Sequence, residues 1–175
     1  MSGGADFNLL KKDLRKSIKA ILALESEQSI LDQSEECTRK LKSLSAYQES
    51  KCLSVFLSMK PEFQTIALIA SALNEDKRVF IPKIVGGTPS DMVMVEIFST
   101  DQINCFPKSK WGIPEPELSE GQKDGTHLGV IDLVIVPGVA FDSSCGRIGH
   151  GKGYYGTTLF CFALSCSVLL CFFLS

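Results

Sequence analysis

The sequence predicts an α/β protein, a mostly parallel sheet flanked by helices, with an N-terminal pair of helices and its last elements missing. Two observations carry the class. After two amphipathic helical segments, short β-favouring runs alternate with a helical one. One of those runs, Ile131 to Val136, is apolar apart from Asp132, as a strand covered on both faces must be. The chain has 175 residues, enough for one domain with a sizeable core.

The elements follow in order. Residues 9–24 form an amphipathic helix with Leu10, Leu14, Ile18, Ile21 and Leu22 on its apolar stripe. Lys11, Lys12, Arg15, Lys16 and Lys19 fall largely on the other side, and Lys11 and Arg15, four residues apart, share one face. Residues 27–44 form a second helix, capped by Ser26, with Ile30, Cys37, Leu41 and Leu44 inward. A strand over Leu53–Met59, a helix over Ile66–Leu73 and a strand over Val79–Pro82 come next. Met92–Ile97 alternates as a third strand, and Ile131–Val136 ends at Pro137-Gly138. Gly86-Gly87-Thr88-Pro89 and residues 112–129 are loops.

Composition narrows the function classes. The net charge of -2 gives no basic field, so no nucleic-acid partner is expected. Seven cysteines include no C-x-x-C pair or Cys/His cluster, which argues against zinc. The odd count and a polar N-terminus without an apolar signal region point to reduced thiols in the cytoplasm. No Asp, Glu, Lys or Arg follows Lys152. The chain therefore divides into residues 1–156 and an apolar tail, residues 157–175. Leu159–Leu174 is apolar apart from Ser165 and Ser167, slightly short of the ~17–25 residues of a span. It reads as a weak C-terminal anchor or, preferably, as a buried or aggregating segment with no selected role.

The chemistry concentrates in Gly146-Arg147-Ile148-Gly149-His150-Gly151-Lys152-Gly153-Tyr154-Tyr155. Its glycines let backbone N–H groups approach a ligand closely, and its cations and tyrosines suit a phosphate with a ring attached. Gly146, Gly151 and Lys152 match the start of a P-loop, but Gly153 replaces the Ser or Thr that holds magnesium, and the run begins well after its strand. Glu62 lies beyond the carboxyl end of the first strand, where open α/β sheets bind ligands. Trp111, the single tryptophan, sits in a Pro/Gly loop. His150 is a candidate donor to an anion, whereas His127 shows nothing beyond a polar loop residue.

Taken in series, these segments resemble the 5-formyltetrahydrofolate cyclo-ligase (methenyltetrahydrofolate synthetase) family. The resemblance rests on Lys11-Lys12-Asp13-Leu14-Arg15, Val55-Phe56-Leu57-Ser58-Met59 with Glu62, Trp111-Gly112-Ile113-Pro114, Pro137-Gly138-Val139-Ala140-Phe141-Asp142, and Arg147 to Tyr155. It implies a fold of the ribose-5-phosphate isomerase and CoA transferase type. It also implies a reaction in which ATP and Mg2+ convert 5-formyltetrahydrofolate to 5,10-methenyltetrahydrofolate, ADP and phosphate. In that scheme the formyl oxygen attacks the γ-phosphate, N10 attacks the activated carbon, and phosphate leaves.

The resemblance assigns nucleotide contacts to Lys11, Lys12, Asp13, Leu14 and Arg15, and to Arg147, Ile148, Gly149, His150, Gly151, Lys152, Gly153, Tyr154 and Tyr155. Folate contacts fall to Leu57, Glu62, Trp111, His150 and Tyr155, and catalytic roles to Glu62 and Lys152. A monomer is expected. The family's motif continues Tyr-Tyr-Asp, with that Asp a magnesium ligand and a second acidic ligand further on. Here Gly156 follows Tyr155, and no acidic residue comes after it, so no metal ligand is assigned. Two readings follow: a cyclo-ligase of full or residual activity, or a non-catalytic ATP- or folate-binding remnant, with or without membrane association through its tail.

Overall fold

The computed structural model describes residues 3–109, 112–118, 124–144, 146–156 and the backbone of 167–170. The chain begins with helices α1 (Gly3–Leu22), α2 (Glu27–Lys42) and α3 (Ser45–Glu49), followed by strand β1 (Cys52–Val55) and helix α4 (Ile66–Asn74). Strands β2 (Arg78–Ile84) and β3 (Met92–Ile97), then helices α5 (Thr100–Cys105) and α6 (Gly125–Leu128), lead to β4 (Leu133–Val136). A short pair, β5 (Ala140–Phe141) and β6 (Arg147–Ile148), precedes β7 (Ser167–Leu170).

Five strands form one sheet in the order β3-β2-β1-β4-β7, while β5 and β6 form a separate two-stranded antiparallel sheet. β1 runs parallel to both β2 and β4, with Leu53 opposite Val79 on one side and Leu133 on the other. Only β3 runs antiparallel, against β2. β1 and β4 are buried along their whole length, because the sheet is packed on both faces. Leu53, Val55, Val79, Ile81, Leu133 and Ile135 face α2, α3 and α4 through Leu41, Tyr47, Leu68 and Ile69. Cys52, Phe80, Met94, Val134 and Val136 form the core of the opposite face, following the two-residue period of a strand. Burial there pushes the Cys52 thiol up to about 12.

Local chemistry fixes the ends of these elements. The Ser26 hydroxyl accepts from Ser29 N at 3.1 Å, the expected cap of α2. Asp132, the charged residue in the apolar run, lies just outside β4. Its carboxylate accepts from Lys51 N at 2.9 Å and Cys52 N at 3.1 Å, which aligns β1 with β4. Asp124 caps α6 and also accepts from Met94 N at 2.8 Å, satisfying a donor on the edge strand β3.

Four expectations change. The second helix ends at Lys42, and Leu44 becomes the residue before α3, more exposed than a stripe position would be. The first strand stops at Val55 rather than Met59. Beyond it, the Ser58 hydroxyl donates to Phe63 O and Met59 N donates to Glu62, so the chain bonds to its own turn instead of a neighbour. The predicted loop over 112–129 contains α6 and a bridge from Lys108 to Pro114. Finally, the sheet takes its fifth strand from the apolar tail: Ser167–Leu170 pairs in parallel with β4, Leu133 opposite Ser167.

α1 also turns differently from its hydrophobic pattern. Lys11, Arg15, Ile18 and Leu22 are its partly buried residues, whereas Leu10, Leu14 and Ile21 are 61%, 49% and 62% exposed. On the inward face Arg15 meets the Gly149 carbonyl at the sheet end, with Ile18 and Leu22 partly buried along the same side.

Candidate active site

The site lies beyond the carboxyl ends of β1 and β4, where the loops following each strand meet. The loop after β1 holds Glu62 in a tight turn after the cis Lys60-Pro61 bond. Glu62 N donates to Met59 O at 2.7 Å, and Met59 N donates back to Glu62 Oε2 at 2.8 Å. The carboxylate is thus held from its own turn, with its side chain 11% exposed.

The loop after β4 carries the glycine run. Asp142 closes the β5–β6 turn by accepting from Ser144 N at 2.8 Å and Gly146 N at 2.7 Å. Arg147 then points inward. Its Nε donates to Pro137 O at 2.7 Å, and its guanidinium lies 5.6 Å from the centre of the Tyr155 ring. Burial of this cation lowers its pKa, with the facing Tyr155 acting in the opposite direction. Gly151 and Gly153 take φ of 98° and 81°, the left-handed region that favours glycine, and so reverse the backbone twice within three residues.

Three other segments touch this loop. Arg15 of α1 donates from Nε to Gly149 O at 2.7 Å, with its guanidinium carbon 3.6 Å from where a Cβ on Gly151 would stand. Glu62 Oε1 lies 3.1 Å from His150 Nε2, joining the two strand-end loops. Pro89, from the loop between β2 and β3, approaches to 3.5 Å of a Cβ position on Gly153.

The structure therefore brings Arg15, Glu62, Arg147, Gly149, His150, Gly151 and Gly153 together, with Tyr155 packed beneath them against both core clusters. Leu57 packs half-buried on the first cluster, Ile148 pairs with Ala140 in the hairpin, and Tyr154 borders the second cluster. Lys11 joins the inward face of α1, its ammonium 4.3 Å above the Phe7 ring. Lys12, Asp13 and Leu14 are exposed on the same helix, and Lys152 is exposed in the loop. Trp111 lies outside the described residues. Sequence reasoning missed the carbonyl anchor at Pro137 and the approach of Pro89, because backbone acceptors and loop proximity leave no residue pattern.

Magnesium, which the resemblance implies, does not fit what is present. Among the described residues no three His, Cys, Asp or Glu cluster as a metal site. Glu62 is engaged by Met59 N and His150, and Asp142 by its own turn. Gly156 has open space beside it but no side-chain oxygen to offer. Phosphates fit better, since Arg15, Arg147 and Lys152 lie on or against a loop whose residues 151–153 are exposed.

A mostly parallel α/β sheet whose carboxyl-end loops gather a glycine run, two arginines and a carboxylate has the ligand-site arrangement of the open-sheet α/β class. Residues 9–168 match the 5-formyltetrahydrofolate cyclo-ligase family. The chain is 36% identical to the 5-formyltetrahydrofolate cyclo-ligase of Mus musculus, over 87% of this chain and 74% of the relative. It is 37% identical to a probable 5-formyltetrahydrofolate cyclo-ligase of Caenorhabditis elegans, over 83% and 70%. The solution structure of Aquifex aeolicus 5,10-methenyltetrahydrofolate synthetase superposes with a TM-score of 0.71 at 28% identity, covering 92% of this chain and 75% of that one. The chain belongs to the 5-formyltetrahydrofolate cyclo-ligase family, and its fold class is the mixed, mostly parallel α/β sheet the sequence predicts. No helix among the described residues is long and apolar enough to cross a membrane.

Proposed function

We propose that the chain binds ATP in the glycine loop and uses it to close 5-formyltetrahydrofolate to 5,10-methenyltetrahydrofolate in the cytoplasm. The observation that carries this reading is the bridge between two loops: Glu62 meets His150 at 3.1 Å while Arg15 holds Gly149 at 2.7 Å. A folate at Glu62 and phosphates at the glycine loop would then lie side by side, as transfer of a phosphoryl group to the folate formyl oxygen requires.

Arg15, Lys11 and Lys152 neutralise the phosphates, and the backbone of Gly149–Gly153 offers N–H donors to them. The formyl oxygen takes the γ-phosphoryl group and ADP leaves. N10 then bonds to the formyl carbon, and the carbon–oxygen bond breaks to release phosphate. Glu62, fixed through Oε2 by Met59 N, exchanges its His150 contact at Oε1 for ring N–H groups of the folate, while Leu57 and the Tyr155 ring supply apolar contact. Among the described residues Cys37, Cys52 and Cys105 are free thiols, which supports a reducing compartment.

Glu62→Gln tests the folate pocket. It turns one acceptor into a donor, so affinity for 5-formyltetrahydrofolate should fall. Quenching of Trp111, the sole tryptophan, reports binding. Unchanged folate affinity in the variant would remove Glu62 from the pocket.

A further inference from the structure

The described carboxylates of the two strand-end loops are engaged by backbone N–H groups and His150, whereas the arginines there meet carbonyl oxygens and a ring and no carboxylate. Glu62 gives one oxygen to Met59 N and the other to His150, and Asp142 is spent on the N–H groups of its own turn. Arg147 is half-buried, and its partners are the Pro137 carbonyl and the Tyr155 ring, with no carboxylate. Lys11 and Arg15 share the inward face of α1, and Lys152 projects from the loop. Among the described residues, the two strand-end loops thus offer positive charge and no unpaired carboxylate to a hard cation.

From this imbalance we infer that the chain takes metal-free ATP, the full anion, in preference to the magnesium complex. The inference rests on the nucleotide site proposed above. A protein usually holds Mg2+ through one or two carboxylates together with the substrate phosphates. Without them the metal does not link protein to nucleotide. It competes with the guanidinium and ammonium groups for the same phosphate oxygens and cancels part of the charge that draws ATP to the loop. Arg147 sharpens the point, because a half-buried cation without a counter-ion favours the ligand of highest negative charge.

Calorimetric titration of the whole chain with ATP, once in EDTA and once in excess MgCl2 at matched ionic strength, tests this. Binding in EDTA should be roughly ten-fold tighter, the scale of one charge-assisted contact. Lys152→Ala alters an exposed side chain and should narrow that preference. Equal affinity, or tighter binding with MgCl2, overturns the inference and leaves the nucleotide site standing. An absence of ATP binding in both buffers overturns the nucleotide site and this inference with it.

Discussion

Lys152 stands exposed between two glycines that hold the loop in left-handed turns, so its ammonium is free to meet a phosphate. Lys152→Ala should weaken ATP binding by roughly 1.5–3 kcal/mol, the worth of a hydrogen bond to a charged group, while folate affinity stays nearly constant. Calorimetry with each ligand separately checks this, and equal losses for both would assign Lys152 to the shape of the loop instead. Gly151 makes the complementary case. Its φ of 98° disfavours any side chain, so Gly151→Ala should cost about 1–3 kcal/mol of backbone strain. Thermal unfolding should drop by roughly 2–4 °C for each kcal/mol in a domain of this size. An unchanged midpoint would mean that the loop relaxes without cost.

At the scale of elements, α1 shows where a sequence pattern misleads. Its stripe of Leu10, Leu14 and Ile21 is a strong helical signal, and the helix exists, but the face turned inward carries Lys11, Arg15, Ile18 and Leu22 instead. A pattern of apolar residues records periodicity and is silent about a single arginine that finds a carbonyl 134 positions away. Leu14→Ser should therefore shift stability by no more than about 0.5 kcal/mol, as a surface substitution does. A loss of several kcal/mol on urea unfolding would show that the stripe is buried. The helices α2, α3 and α4 are tied by polar groups that the sequence also leaves unmarked. Glu75 accepts from Tyr47 at 3.0 Å and pairs with Lys42 at 2.8 Å. The Lys42 hydrogen bond leads the causes that hold the Glu75 pKa below its ordinary 4.5. A carboxylate with a lowered folded pKa contributes stability above its unfolded value and loses it as pH falls through the folded one. Glu75→Gln should therefore be less stable than the parent at neutral pH, with the difference closing below pH 4.5. A gap that persists at pH 3 would show that the charge is not its source.

For the whole molecule, the alternation of strands and helices was legible because burial on both faces leaves apolar runs at β1 and β4. The glycine run was legible because its residue types are chemically unusual. The contact of Glu62 with His150, 88 residues apart, was not, since nothing in either segment encodes the other's position. The tail shows the same limit: an apolar run reads equally as anchor or core, and its backbone over Ser167–Leu170 joins the sheet beside β4. The account's central claim is that one site holds ATP and 5-formyltetrahydrofolate together and moves a phosphoryl group between them. Mixing the chain at stoichiometric concentration with both ligands and following near-ultraviolet absorbance of 5,10-methenyltetrahydrofolate tests it most directly. The account predicts product that requires ATP, forms well below the rate of the Mus musculus relative, and is diminished in Lys152→Ala. Absence of ATP-dependent product would contradict it.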